Sequence, residues 1–149
     1  MNNFAAGIIP FINYQNQRYF LLGLERSNNK WSGFVGGSEP DETPKLTALR
    51  EFNEETAMIF HNYELKLNDK PLIEKTSTGK TVYLWFIEFP NSLLNYDINK
   101  EFQINKNSMK ESIYKEKITL KWFNNVNSNK ILYKLKKMIL LNFPSITTI

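Results

Sequence analysis

Residues 50–55, with the sequence REFNEE, put an arginine and three glutamates into six consecutive positions. The stretch is predicted to be helical, because Pro44 suits a first helical turn and Asp41 or Thr43 can accept hydrogen bonds from its N–H groups. On a helix the three glutamates share an arc of about 100°. Like charges three and four residues apart oppose helix formation by about 0.2–0.5 kcal/mol per pair. An acidic face of this kind needs either water or a cation.

Two interpretations of the acidic face follow from the residues alone. It is either a solvated helix surface or a site for a hard divalent cation. Mg²⁺ takes oxygen ligands, retains several waters and commonly binds a few carboxylates together with substrate phosphates. The cluster by itself leaves both interpretations open.

The wider spacing is more specific. Gly36 is followed after five residues by Glu42, and after seven more by residues 50–58, REFNEETAM. This pattern resembles the Nudix box, with one departure at Ala57, where the family has glycine. Upstream, residues 31–36, WSGFVG, resemble the Trp-x-Gly-Phe-Gly-Gly segment of MutT-like members, with Val35 in place of the first glycine. The resemblance covers residues 31–58.

The resemblance implies a Nudix-like α/β/α sandwich, with a mixed β-sheet between helices and a single domain over residues 1–149. It also implies a hydrolase that cleaves the diphosphate linkage of a nucleoside diphosphate-linked substrate with Mg²⁺, with Mn²⁺ as the alternative cation. The implied catalytic residues are Arg50, Glu51, Glu54 and Glu55. The implied metal ligands are Gly36, Glu51, Glu54 and Glu55, with Val35 as the alternative to Gly36 for a backbone carbonyl. Arg50 would orient the glutamates, and Glu42 matches a further acid near the metal.

Residues outside the box are predicted with less support from the pattern. Arg18, Arg26, Lys30 and Glu116 are predicted to bind substrate, the three cations through its phosphates. Glu111 and Glu116 are candidates for the general base, because both precede the strand that ends at Phe123. The alternative for each of these residues is an ordinary surface side chain, and the pattern favours that alternative for the two glutamates.

Composition excludes several other classes of site. The chain has 149 residues, no cysteine and one histidine, His61, so disulfides, thiolate catalysis and multi-histidine metal sites are excluded. No apolar run approaches the roughly 20 residues that span a bilayer, and no secretory signal is visible. We therefore expect a cytoplasmic protein that does not bind membranes. The net charge of +4 favours polyanionic ligands such as nucleotides or RNA.

Hydropathy patterns predict the remaining elements. Strands are predicted at residues 5–12, 18–24, 63–67, 71–75, 81–89 and 117–123, with the first two forming a hairpin and Pro10 placing the first at an edge or a bulge. Residues 77–80 are predicted to be a turn, and residues 91–108 a long loop. The strand at 81–89 is predicted to be central and covered on both faces. Ser128 is a predicted N-cap for an amphipathic helix over residues 129–142, which we expect to pack on the sheet rather than on a membrane.

Three functions are compatible with the sequence. The first is hydrolysis of a free nucleotide, and the second is decapping of 5′-capped RNA, which the basic surplus favours. The third is a catalytically silent Nudix fold that binds a nucleotide and regulates a partner; loss of the box acids would support it, but they are all present. An RNA-binding module has no recognised motif here. The sequence indicates no oligomeric state.

Overall fold

A mixed β-sheet with helices on both faces forms the part of the chain that the computed structural model describes, which is residues 3–111, 114, 116–124, 135, 137 and 139. Its strands are β1 (Phe4–Tyr14), β2 (Gln17–Glu25), β3 (Trp31–Ser32), β4 (Phe34–Gly37), β5 (Leu72–Lys75), β6 (Thr81–Glu88) and β7 (Lys117–Phe123). The helices are α1 (Pro44–Glu55) and α2 (Ile98–Ser108), and a 3₁₀ turn covers Asn91–Asn95. This is the predicted α/β/α arrangement.

The first two strands form the predicted hairpin and then separate. β1 pairs antiparallel with β2 over residues 11–14 and 17–20, and the turn residues Gln15 and Asn16 have φ of 51° and 62°. Beyond that, β3 pairs with the end of β2, while β4 pairs with residues 5–8 of β1. The segment that leads to α1 is thus inserted where β1 and β2 separate.

Pro10 is central, which corrects the prediction of an edge or a bulge. β1 pairs in parallel with β6 through residues 4–11, so Pro10 lies inside this ladder. The Phe11 carbonyl accepts from Phe89 N on the β6 side, so position 10 points the other way. On that side β4 has ended at residue 8 and β2 begins at residue 11. The missing N–H of proline therefore falls in the gap between partners.

Two apolar clusters cover the two faces of the sheet. On one face Phe52 of α1 contacts Phe34 edge to face, with ring centroids 5.5 Å apart, and the cluster continues to Phe102 of α2. On the other face Leu135 and Ile139, both helical, pack with core residues of the first two strands and β6. β6 has a neighbour on each side and buries Leu84 and Trp85 toward opposite faces, as predicted for a central strand.

The segment 91–108 contains two helices, which corrects the prediction of a long loop. Asp97 caps α2 by accepting from Lys100 N at 3.0 Å, and Ile98 and Phe102 are buried one turn apart. The polar residues that suggested a loop bind β7. Asn99 accepts from Leu120 N at 3.0 Å, and Gln103 donates to the Ile118 carbonyl at 2.7 Å.

Other predictions can be compared directly. Residues 63–67 are irregular, which corrects the prediction of a strand, and Tyr63 stacks on Phe89 with centroids 5.9 Å apart. The predicted turn at 77–80 is confirmed, with Gly79 at φ 87°. Of the predicted helix at 129–142, Leu135, Lys137 and Ile139 are helical, and the rest, with its Ser128 cap, lies outside the described residues. No helix among the described residues is long and apolar enough to cross a membrane.

Candidate metal centre

The site is organised by α1, whose ends form as the sequence predicts. Thr43 caps it by accepting from Leu46 N at 3.3 Å, and Pro44 occupies the first turn. The helix ends at Glu55, and the next two residues after Thr56 turn into the left-handed region, with φ of 52° at Ala57 and 64° at Met58. Ala57 is thus the non-glycine residue at a position whose conformation favours glycine.

Arg50 is the centre of a dense hydrogen-bond network. Its guanidinium makes a bidentate contact with Glu42, at 2.7 Å from Nε and 3.1 Å from Nη2. Nη2 also donates to the Gly37 carbonyl at 2.7 Å. Nη1 donates to Glu51 at 3.1 Å and to Glu54 at 3.3 Å. The planar fork therefore ties the loop before α1 to two of the box glutamates, which a lysine could not do in the same geometry.

The pKa values around Arg50 reflect this network. The hydrogen bonds from Arg50 lower the pKa of Glu42 from 4.5 to about 2, with Thr47 also donating to it at 2.8 Å. The Glu42 contact in turn raises the pKa of Arg50. Burial raises the pKa of Glu54, and the Arg50 hydrogen bond partly offsets that rise. Glu42 and Arg50 are therefore a firmly ionised pair.

Three carboxylates converge beside this network. Glu51, Glu55 and Glu116 each offer an oxygen, and these oxygens lie within 4.8 Å of one another. Glu51 and Glu55 are buried on α1, whereas Glu116 is exposed just before β7. Gly36 makes room for Glu51, because a Cβ there would come within 2.0 Å of Glu51 Cδ. The prediction grouped Glu54 with this set, and the structure places Glu54 next to it, against Arg50.

Glu55 has an oxygen that nothing in the described part of the chain satisfies. Its side chain is 4% exposed, and Oε2 is buried without a hydrogen-bond partner there. Burial raises the pKa of Glu55 well above its ordinary value; Lys117 opposes that rise and Glu51 adds to it. Burial also raises the pKa of Glu116, and the Glu51 charge raises it further. Carboxylates in this environment are stabilised in the ionised form by a nearby cation.

The donor set fits a hard divalent cation. All three groups are carboxylates, the ligand type that Mg²⁺ prefers, and one of them keeps an oxygen that no described residue contacts by a hydrogen bond. Oxygens bound to one Mg²⁺ lie about 3–4 Å apart, so the observed spacing needs only small side-chain rotations. A cavity of about 550 Å³ adjoins the cluster. It is lined by Glu25, Arg26, Ser27, Val35, Glu55, Glu116 and Lys117.

The predicted substrate residues are not all at this cavity. Arg26 and Glu116 line it, and the backbone N–H of Arg26 donates to the backbone carbonyl of Glu116 at 3.0 Å. Lys30 closes the turn after β2 and is not among the lining residues. Arg18 binds Asn13 at 2.7 Å at the hairpin end, roughly 20 Å along β2 from Glu25 at about 3.3 Å per residue. Arg18 is therefore too distant to contact a ligand in this cavity. Glu111 is also absent from the lining.

Lys117 was missed by the sequence reasoning. It was predicted only as the first residue of a strand, yet its side chain is 2% exposed and its ammonium lies 3.7 Å from Glu55 Oε1. Burial lowers its pKa, and the neighbouring glutamates oppose that shift. A lysine next to a glutamate at a strand start gives no signal of burial. Its position depends on the pairing of Lys117 with Glu25 in the register between β2 and β7.

Comparison with known proteins identifies the family. The NUDIX domain family matches residues 1–101, more than half of the chain. The chain belongs to the NUDIX family. This match confirms the predicted membership, and with it the class of a hydrolase. No curated protein sequence matches the chain.

Solved structures of NUDIX proteins share the fold. The chain is similar to the NUDIX domain of Shewanella oneidensis NrtR complexed with ADP ribose, with a TM-score of 0.63 and 14% identity over 99% of this chain and 90% of that one. A NUDIX-family hydrolase from Clostridium perfringens gives 0.59 and 14%, over 98% and 97%. A MutT/nudix family protein from Listeria innocua gives 0.54 and 13%, over 97% and 92%. These likenesses confirm the predicted α/β/α sandwich.

Proposed function

We propose that this NUDIX protein hydrolyses the diphosphate linkage of a nucleoside diphosphate-linked substrate, using Mg²⁺, with Mn²⁺ able to replace it. The observation that carries the proposal is Oε2 of Glu55, which is buried and has no partner among the described residues, within a group of three carboxylates at the edge of a cavity. Leaving such an oxygen unsatisfied costs about 1–3 kcal/mol, and more if it is charged. A cation that stabilises it accounts for that arrangement.

The metal would be held by Glu51, Glu55 and Glu116, with Gly36 and Glu54 remaining predicted ligands beside them. A bound divalent ion neutralises phosphate charge and lowers the pKa of a coordinated water. The chain itself supplies the other parts. Arg50 restrains Glu51 and Glu54 by hydrogen bonds, and Arg26, which lines the cavity, is the proposed phosphate-binding residue.

Glu116 is assigned two separable roles, as a third ligand and as the acceptor of a proton from the attacking water. Replacing Glu116 with glutamine distinguishes them. Loss of Mn²⁺ affinity together with turnover identifies a ligand. Loss of turnover with unchanged Mn²⁺ affinity identifies a base, since a base need not contact the metal.

The decisive experiment is a substrate screen in Mg²⁺ with products identified by mass. ADP-ribose is the first compound to test, because the NUDIX domain of NrtR was crystallised with it. Nucleoside triphosphates, dinucleotides and capped RNA complete the set. We expect cleavage of a diphosphate bond that EDTA abolishes and added Mg²⁺ restores. Turnover that persists undiminished in EDTA would refute the metal-dependent mechanism.

Capped RNA is the alternative substrate, favoured by the net charge of +4. The two classes differ in salt dependence. Binding to single-stranded RNA should weaken with a slope of about −0.7 in log K against log [salt] for each phosphate neutralised. A mononucleotide has few phosphates and should give a shallow slope, which is the result we expect. A steep slope together with efficient release of the cap nucleotide would establish decapping instead.

Regulation without catalysis is the third candidate function. The NrtR structures include one complexed with a 27mer DNA, and this chain covers 58% of the NrtR chain in that complex at a TM-score of 0.50. The convergence of the three carboxylates favours hydrolysis over this role. The same screen separates the two. A compound that binds in Mg²⁺ and is recovered intact from every reaction would identify a silent NUDIX domain.

A further inference from the structure

Lys117 places a buried ammonium group directly behind the acidic site. Its Nζ lies 3.7 Å from Glu55 Oε1 and 3.6 Å from Glu25 Oε2, and the side chain is 2% exposed. Gly23 leaves room for the aliphatic part, since a Cβ at Gly23 would come within 2.8 Å of Lys117 Cδ. The lysine is thus accommodated by its neighbour on β2 rather than turned to solvent.

The hydrogen bonds of the ammonium go to other groups. Nζ donates to Ser32 Oγ at 2.5 Å and to the Gly33 carbonyl at 3.0 Å. Ser32 Oγ in turn donates to Glu25 Oε2 at 2.5 Å. The contact with Glu55 is longer than a hydrogen bond, so Lys117 acts on that carboxylate mainly through its charge.

We propose that Lys117 is the resident cation of the acidic site, a positioning residue that neutralises Glu55 from behind and limits the affinity of the site for divalent ions. This inference rests on the proposed function, because it requires that the carboxylates bind a divalent cation. The ammonium lies on the Oε1 side of Glu55, which leaves the unpartnered Oε2 as the oxygen available to a metal. Removing the ammonium charge would leave Glu55 more dependent on a divalent ion.

A purely structural role for Lys117 is the competing explanation. Its bonds to Ser32 and Gly33 link β7 to the end of β3 and to the residue that joins β3 to β4. A structural link of this kind would affect folding to the same extent with and without metal. A resident cation would make folding stability depend on metal once it is removed.

The test compares wild type with Lys117→Gln, Lys117→Arg and Lys121→Gln. Glutamine keeps a donor and removes the charge, and arginine keeps the charge. Lys121 is the matched control, because it lies on the same strand, is exposed and sits over the Phe123 ring at 5.2 Å. Mn²⁺ binding is measured from the electron paramagnetic resonance signal of the free ion. Thermal midpoints are measured in EDTA and in Mn²⁺.

We expect Lys117→Gln to bind Mn²⁺ about tenfold more tightly or better, since a unit charge this close to a ligand has been removed. Its thermal midpoint should fall in EDTA and recover in Mn²⁺. A variant that folds only with metal would also support the proposal. Lys117→Arg and Lys121→Gln should bind Mn²⁺ like wild type.

Several results would overturn the inference. Equal or weaker Mn²⁺ binding by Lys117→Gln would do so, as would an equal loss of stability in EDTA and Mn²⁺, or failure to fold in both. Tighter binding by Lys117→Arg would show that charge is not the cause. Wild type that binds no Mn²⁺ would refute the proposed metal function as well. If wild type binds Mn²⁺ and Lys117→Gln binds it with the same affinity, the role of Lys117 is refuted and the proposed metal function is not.

Discussion

Helix α1 carries two adjacent stripes of charged residues. They differ in how fully their charges are compensated by neighbouring groups. Arg50 and Glu54 form one i,i+4 stripe, and Glu51 and Glu55 form the next, rotated by about 100°. On the first stripe Arg50 binds Glu42, Glu54 and a backbone carbonyl, at 2.7 to 3.3 Å. On the second, Glu51 shares the Arg50 guanidinium at 3.1 Å, whereas Glu55 has Lys117 at 3.7 Å and an oxygen without a partner among the described residues.

This difference distinguishes charged residues that stabilise the fold from a carboxylate that can still bind a ligand. A carboxylate that already receives hydrogen bonds from a guanidinium gains little from a further cation. A buried carboxylate with an unpartnered oxygen gains much more, because its desolvation has not been offset. We therefore expect changes on the first stripe to act mainly on folding stability, and changes on the second mainly on metal binding and turnover.

Glu55→Gln should have the largest effect. It removes the charge of the unpartnered carboxylate and should lower turnover by at least about 100-fold, with a matching loss of Mn²⁺ affinity. Folding stability in EDTA should change by less than about 1 kcal/mol, because Lys117 keeps Glu25 at 3.6 Å and its bonds to Ser32 and Gly33, so its ammonium is not left uncompensated. Activity assays and thermal unfolding of the same preparation measure both.

Glu54→Gln is the control for that variant on the neighbouring stripe. It should retain more Mn²⁺ affinity than Glu55→Gln, because Glu54 is already bound by Arg50. Equal Mn²⁺ affinity in wild type and Glu55→Gln would remove Glu55 from the metal site and with it the contrast between the stripes.

Arg50→Lys should act mainly through stability. Lysine keeps the charge but cannot form the bidentate contact with Glu42 while also reaching Gly37 and Glu51. We expect a loss of about 2–3 kcal/mol in the free energy of unfolding, measured by urea denaturation in EDTA. Turnover should also fall, since Glu51 loses its donor. A variant as stable as wild type would show that the network is not what holds the loop to α1.

Glu42→Gln should remove a component of acid sensitivity. The pKa of Glu42 is about 2 in the folded protein against an ordinary value of 4.5, and the Arg50 hydrogen bonds are the largest cause. A depressed folded pKa contributes stability that is present above about pH 4.5 and is lost as the pH falls toward 2. We expect the variant to be about 1–2 kcal/mol less stable at pH 7, and this difference to shrink on acidification.

Denaturation curves for wild type and Glu42→Gln at pH 7, 5 and 3 test this directly. Asp41→Asn is a suitable control, because Asp41 is the preceding acid and makes none of the Arg50 contacts. A stability difference that stays constant from pH 7 to pH 3 would contradict the assignment.

Ala57→Gly should have the smallest effect, at the end of both stripes. Glycine relieves the cost of about 1 kcal/mol for alanine in the left-handed region, while the buried methyl group that is lost opposes the gain by a similar amount. A net stabilisation of about 0.5 kcal/mol or less is expected in thermal unfolding, with turnover unchanged. A marked loss of turnover would show that the methyl group helps to position Glu55.

Local patterns account for the elements that were predicted correctly. Thr43 and Pro44 define the start of α1, and polar turn residues between two apolar runs define the hairpin, because both signals act within a few residues. Helix α2 was missed because its Asn99 and Gln103 looked like loop residues. They are polar because they bind the backbone of β7, a partner that no local pattern reveals.

The sequence by itself determined the family, the helix that carries the box and the set of charged residues on it. Their fixed spacing places them on two stripes of one helix wherever that helix packs. Only the tertiary structure decided which acids have partners. Glu116 and Lys117 reach the site because β7 pairs with β2, bringing Lys117 opposite Glu25 from a distant part of the chain. Charge balance in a buried site depends on such long-range neighbours, and residue spacing within α1 carries no information about them.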